Sequence, residues 1–283
     1  MYDMDQTVEE TDIMSYQPKP GHHSIPSHPI EIRNLTMAYG KKIVMRGLDF
    51  TVNHGDIFII MGGSGCGKST LLRHMIGLIK PASGHVLLKG RDIWRLSNQE
   101  RKDLLISCGV MYQAGALWTS MTLSENVMLP LQLYSNLDWE ERREIARLKL
   151  GLVGLSGFED YYPSEISGGM RKRAGLARSL ALDPEILFLD EPSAGLDPIS
   201  SSQVDQLIIN INKNLGTTIV VVTHELESIF TIATNSVFLD AQTKTMGPTG
   251  DPKKLLQESD YENLIMFLTR GRGRENSPFF TGR

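Results

Sequence analysis

The octet Gly62-Gly63-Ser64-Gly65-Cys66-Gly67-Lys68-Ser69 constrains this chain more than any other stretch. It matches G-x-x-x-x-G-K-[ST], follows the apolar run Ile57 to Met61, and precedes a helical pattern over Ser69 to Gly77. Glycines let backbone N–H groups turn inward on a phosphate with no Cβ in the way, and the helix opening near Lys68 adds the positive end of its dipole. Lys68 then reaches the β- and γ-phosphates of a nucleotide, and the Ser69 hydroxyl completes a Mg²⁺ shell. Cys66 supports two readings: a thiolate favoured by the amides and Lys68, or a small residue that fills space.

Strand, glycine turn and helix in this order belong to an α/β fold, and the remaining pattern agrees. Ile30 to Thr36, Leu48 to Val52 and His85 to Lys89 read as further strands. Ser97-x-x-Glu100 and Thr122-x-x-Glu125 resemble capping boxes that open helices. Residues from about 120 to 165 are helical in pattern, a candidate helical insert. Helices over 168–182, 200–214 and 225–233 then alternate with the apolar strands Ile186–Leu189, Thr217–Val222 and Ser236–Leu239. Strands apolar throughout and separated by helices predict a mainly parallel sheet covered on both faces. A last helix over about 260–269 precedes a Gly/Arg tail. The chain divides into a tail over 1–29, an α/β body over 30–250 and a C-terminal segment over 251–283.

Ile186-Leu187-Phe188-Leu189-Asp190-Glu191 is an apolar strand ending in two carboxylates. Asp190 is placed to face the Mg²⁺ shell through water, and Glu191 to meet an attacking water as general base. Such a pair alone is usually a solvated strand end; beside a phosphate cradle it gains a function. Gln113 follows the strand Gly109–Tyr112 and is positioned to reach the metal or the water. His224 follows Thr217–Val222 and is positioned to orient the γ-phosphate and the water. Lys68, Mg²⁺ and the cradle amides supply the larger share of charge stabilisation on a transferring phosphoryl group.

Charge narrows the partners. Residues 1–29 hold Asp3, Asp5, Glu9, Glu10 and Asp12 against Lys19 alone, so the whole formal charge of −4 resides there and the body is neutral. A neutral body has no general field for a polyanion, which argues against nucleic acid. With 41% apolar and 22% charged residues the chain has a globular composition, and no run approaches the roughly 18 apolar residues of a membrane span. The acidic N-terminus lacks the apolar region of a secretory signal. Cys66 and Cys108 cannot form a disulfide framework or a four-cysteine zinc site, which fits a reducing cytosol. His22, His23 and His28 could bind metal, but a solvated tail rich in Pro, Ser and acids is the preferred reading.

Over about residues 30–245 the sequence resembles the nucleotide-binding subunit of ABC transporters. Tyr39 stands where that family has an aromatic stacked on adenine. The octet 62–69, with Thr70 behind it, resembles Walker A; Gln113 resembles the Q-loop; Ile166-Ser167-Gly168-Gly169-Met170 resembles the signature. Asp190 and Glu191 resemble Walker B and its catalytic base, Ser193 to Asp197 the D-loop, and His224 the switch histidine. The resemblance implies a P-loop ABC ATPase with an antiparallel N-terminal β subdomain and a helical insert, using ATP and Mg²⁺. It implies Glu191, His224, Lys68 and Gln113 in catalysis, and Ser69, Gln113 and Asp190 at the metal. Ser167, Gly168, Gly169 and Asp197 would meet ATP held by a second copy, with hydrolysis releasing the clamp.

Met170 departs from the usual glutamine of the signature, losing a polar side chain but keeping the serine hydroxyl and amides. Residues 163–170, followed by Arg171-Lys172-Arg173-Ala174, resemble the variant in MCE-associated, Mla-type lipid transporters; Tyr112 to Leu117 and Phe267-Leu268 are similar to that branch. That likeness implies transmembrane permease subunits, an MCE-domain lipid-binding subunit, a small STAS-domain partner, phospholipid as substrate and a place at the cytoplasmic face of a bacterial inner membrane. Three rivals stand beside it: an ATPase for another importer or exporter, a soluble ABC protein, and a nucleotide-binding regulator without turnover. The short span from Gln113 to Ser167 leaves no room for the long coiled coil common in soluble ABC proteins. Intact Lys68, Glu191 and His224 oppose the regulator. Arg270, Arg272 and Arg274 read as a solvated tail, with lipid headgroups, RNA or the second subunit as alternative contacts.

Overall fold

The computed structural model describes residues 27–113 and 115–280. The chain enters on a hairpin of β1 (Ile30–Tyr39) and β2 (Lys42–Val52). β3 (Ile57–Gly62) runs into the glycine octet, and α1 (Lys68–Met75) leaves it. β4 (Ser83–Leu88) and the two-residue β5 (Arg91–Asp92) return to the hairpin, completing an antiparallel sheet ordered β2-β1-β4-β5. This is the antiparallel subdomain the resemblance implies.

α2 (Asn98–Ile106) leads to β6 (Cys108–Met111), and α3 (Leu123–Tyr134) and α4 (Trp139–Leu152) form the helical insert. α5 (Gly168–Ser179) returns to the body, where β7 (Ile186–Asp190), α6 (Pro198–Leu215), β8 (Thr218–Val222), α7 (Leu226–Ile232) and β9 (Asn235–Asp240) alternate. β10 (Thr245–Thr249), α8 (Pro252–Glu258) and α9 (Glu262–Leu268) follow. The second sheet is ordered β10-β9-β3-β8-β7-β6, and all its pairings except β10 with β9 are parallel.

The parallel strands are apolar throughout because each feeds two cores. Alternate side chains of a strand point to opposite faces. Ile57, Ile59 and Met61 of β3 join the core under α3 to α7, while Phe58 and Ile60 join the core against α1 and the antiparallel sheet. Leu187 and Leu189 divide from Ile186 and Phe188 in the same way, as do Ile219 and Val221 from Val220 and Val222. Phe50 stacks on Phe58 at 5.4 Å, joining the two sheets. Three capping boxes set helix starts: Ser97 with Glu100, Thr122 with Glu125, and Asp138 with Glu141. No helix among the described residues is long and apolar enough to cross a membrane.

Both terminal segments depart from expectation. The tail expected over 1–29 lies outside the described residues as far as residue 26, which includes His22 and His23. Ser27 to Pro29 instead belong to the body: the Ser27 carbonyl accepts from the His54 amide at 2.9 Å and that of Pro29 from Lys89 at 2.8 Å. His28 is bound to the Asn53 side chain at 3.0 Å. At the other end the Gly/Arg segment folds back on its own chain. Phe279 stacks on Phe230 of α7 at 4.2 Å, and Arg274 donates to the Ser259 carbonyl. Apolar burial of Phe279 and Phe280 against the main core outweighs the pull of the exposed arginines toward solvent.

Candidate active site

The octet turns at the end of β3 because its glycines fit where other residues do not. A Cβ on Gly62, at φ 152°, would stand 2.6 Å from the Leu239 carbonyl and 2.7 Å from Cys66 Sγ. One on Gly67, at φ 104°, would stand 2.9 Å from a Val44 methyl. Lys68 is buried, and its ammonium donates to the carbonyls of Gly62 at 2.9 Å and Gly63 at 3.1 Å. Cys66 is only 2% exposed, and burial raises its thiol, with the attraction of Lys68 opposing. The space-filling reading of Cys66 is therefore the one the geometry supports, and the thiolate reading is corrected.

These residues floor a cleft of about 600 Å³. Tyr39, half exposed at the end of β1, lines it with Lys42 and Lys244. Gln113, Glu191 and His224 line it too. The Ser69 hydroxyl donates to Asp190 Oδ1 at 3.1 Å, joining the start of α1 to the end of β7. Burial pushes the Asp190 carboxyl up, and the Ser69 bond opposes this.

Glu191 holds φ at +51°, an uncommon conformation for a residue with a side chain, worth about 1–3 kcal/mol of strain. Its amide donates to the Val222 carbonyl of β8 at 2.9 Å. Oε1 shares a hydrogen bond with His224 Nδ1 at 2.8 Å, while Oε2 is buried with no protein donor. The lone pairs of Oε2 are free to accept a proton, as a general base requires. Oxygen donors from Ser69, Asp190 and Gln113 suit Mg²⁺, which takes few protein ligands beside phosphate and water.

The cleft thus unites Tyr39, Ser64 to Thr70, Gln113, Glu191 and His224, with Asp190 behind Ser69. Ser167, Gly168, Gly169 and Asp197 do not line it. Ser167 caps α5, its hydroxyl accepting from the Met170 amide at 3.2 Å, with Gly168 exposed and Gly169 partly exposed beside it. Met170 packs against the main core, which accounts for an apolar residue there. Asp197 caps α6, accepting from the amides of Ile199 and Ser200 at 3.0 Å. Sequence reasoning assigned nothing to Lys172, which is buried and donates to the carbonyls of Gln113 and Glu191. Its sequence signal was its place two residues after Met170, within the Arg171 to Ala174 run that resembles the Mla-type variant.

Comparison with known proteins agrees with this geometry. Residues 45–194 match the family model described as ABC transporter. The chain is 38% identical over 258 residues to a probable ribonucleotide transport ATP-binding protein, mkl, of Mycobacterium tuberculosis, covering 91% of this chain and 71% of that one. It is 39% identical over 249 residues to the intermembrane phospholipid transport system ATP-binding protein MlaF of Haemophilus influenzae, covering 88% and 92%. Among solved structures it is similar to a dimeric post-hydrolysis state of the ATP-binding cassette MJ0796 bound to ADP and Pi. That similarity has a TM-score of 0.71 and 29% identity, and covers 78% of this chain and 98% of that one. The cradle, the paired carboxylates and the family match together place this chain in the ABC transporter family, as an ATP-hydrolysing subunit.

Proposed function

We propose that two copies of this chain close on two ATP molecules and use their hydrolysis to drive a permease that moves phospholipid. One observation carries the two-copy reading. The cleft holds one side of a nucleotide site, while Ser167 and Gly168 lie exposed, and Gly169 partly exposed, outside it at the N-terminus of a helix. A helix N-terminus is an anion site, and here its charge complement is the γ-phosphate held by another copy. The phospholipid reading is supported by the likeness to MlaF over most of both chains.

Tyr39 stacks on the adenine, and the amides of the octet with Lys68 hold the phosphates. Glu191 Oε2 takes a proton from the attacking water while His224 fixes Oε1. The octet amides and Lys68 stabilise charge on the transferred phosphoryl group. Ser69, Asp190 and Gln113 would hold Mg²⁺, which when bound neutralises phosphate charge. Motion passes out through the segment after Gln113 and the helical insert. Beside them a groove of about 450 Å³, lined by Arg101, Lys102, Tyr134 and Arg178, receives the permease. An MCE-domain lipid-binding subunit and a small STAS-domain protein complete the assembly, with this chain at the cytoplasmic face of a bacterial inner membrane.

Glu191→Gln tests the chemical half. The variant should bind ATP with near-normal affinity and turn over at least about 10²-fold more slowly; near-normal turnover would mean another base. Purification of the tagged chain from its native membrane, with mass spectrometry of bound proteins and lipids, tests the transport half. Recovery with a permease and an MCE-domain protein is expected, and a permease tied to a solute-binding protein would replace this reading.

A further inference from the structure

One face of α5 is applied to the segment that follows Gln113. Lys172, Gly175 and Arg178 recur at intervals of three and share that face. Arg178 donates to the carbonyls of Gly115 at 2.9 Å and Ala116 at 2.6 Å. Gly175 comes so close that a Cβ there would stand 2.9 Å from Gly115 Cα. Lys172 completes the row: its ammonium donates to the Gln113 carbonyl and, at 2.9 Å, to the Glu191 carbonyl.

A single buried ammonium therefore joins three parts: the helix opened by Ser167-Gly168-Gly169, the Gln113 segment, and the strained turn that presents Glu191. An ammonium has three donors and can serve two carbonyls at once, and charged donors make the stronger bonds. Glu191 has its amide fixed to Val222 and its carbonyl fixed to Lys172, so both flanking peptides are held and the Cα–Cβ direction follows.

We propose that Lys172 is a positioning residue for ATP hydrolysis, aligning Glu191 with the Gln113 segment and α5 so that the base is in line only when all three are seated together. This rests on the assignment of Gln113 and Glu191 to the reaction. Burial lowers the pKa of Lys172, and the nearby carboxylates Glu191, Glu225 and Asp190 oppose that.

The test uses the full-length chain with Lys172→Met, Lys172→Gln and Lys172→Arg beside Glu191→Gln. ATP Kd, kcat at saturating Mg-ATP and Tm are measured for each. Met offers no donor, and Gln is one atom too short to serve both carbonyls. In both variants kcat should fall about 10- to 100-fold with Kd within about twofold. Arg keeps donors and charge on a bulkier, planar group, and should return kcat part of the way, above both Met and Gln. A purely structural lysine would lower Tm and leave kcat of the folded protein alone. The inference is overturned if kcat of folded Met or Gln variants stays within about twofold, if Kd changes while kcat does not, or if Arg is as slow as Met. If Met fails to fold, Gln decides. Near-normal turnover by Glu191→Gln would instead remove the site assignment on which the inference stands, a separate failure.

Discussion

Cys66 lies in a ring of amides beside Lys68, and on charge alone that setting favours a thiolate. Burial reverses the balance: the residue is almost wholly enclosed, its thiol is raised, and Sγ occupies the room beside Gly62. Iodoacetamide at neutral pH should therefore modify native Cys66 at least about tenfold more slowly than the same residue in denatured chain. Peptide mapping after timed labelling checks this; fast labelling that ATP blocks would restore the thiolate. The octet itself was legible from residue types, since only glycine, lysine and serine chemistry fits a phosphate cradle. Burial of Cys66 was not, because it depends on strands and helices distant in sequence that form one core with it. Lys172 is the sharper case. Its partner Gln113 lies 59 residues earlier and its other partner, Glu191, 19 later, and both bonds go to carbonyls, which every residue has.

Among elements, α6, α7 and the turn after β7 meet in a buried polar chain. Ser193 donates to Glu225 at 3.0 Å and lies 3.4 Å from the Ser228 hydroxyl, which donates to Asp205 Oδ2 at 2.9 Å. Asp205 Oδ1 is buried without a partner, and burial pushes the carboxyl up to about 6, opposed by Ser228 and reinforced by Glu225 and Glu227. An acid raised on folding binds its proton more tightly in the folded chain. Its ionised form thus penalises stability fully above about pH 6, and the penalty fades as pH falls toward about 4. A rise from 3.8 to about 6 corresponds to about 3 kcal/mol. Asp205→Asn removes the titration, so the variant should exceed the parent in urea stability by about 1–3 kcal/mol near pH 7.5, with the gap closing toward pH 4.5. A gap constant with pH would mean that folding does not raise the Asp205 carboxyl. The capping boxes at Ser97 and Thr122 gave their helices away, as did the apolar runs of β3, β7 and β8. β10, with Gly247 and Pro248 in a half-exposed strand, and the short α8 carry no such period and were not legible.

For the whole molecule, the question is why one chain leaves the N-terminus of α5 outside its own cleft. Two cores shared across one parallel sheet make the body rigid, so α5 cannot swing its N-terminus into the cleft of its own chain without breaking the contacts of Lys172 and Arg178. On the reading proposed above, a second copy would supply the missing side, and ATP would then favour the closed pair because it would meet both chains only there. Ser167→Arg places a long cation on this face. Loss of the Ser167 cap costs about 1 kcal/mol, which a folded body tolerates. In a Glu191→Gln background, where hydrolysis does not reopen the pair, Mg-ATP should convert the parent chain to a dimer by light scattering. The double variant should bind ATP with similar affinity through Tyr39 and the octet, yet remain a monomer. An ATP-dependent dimer in that variant would mean that Ser167 to Gly169 do not face the partner's phosphate.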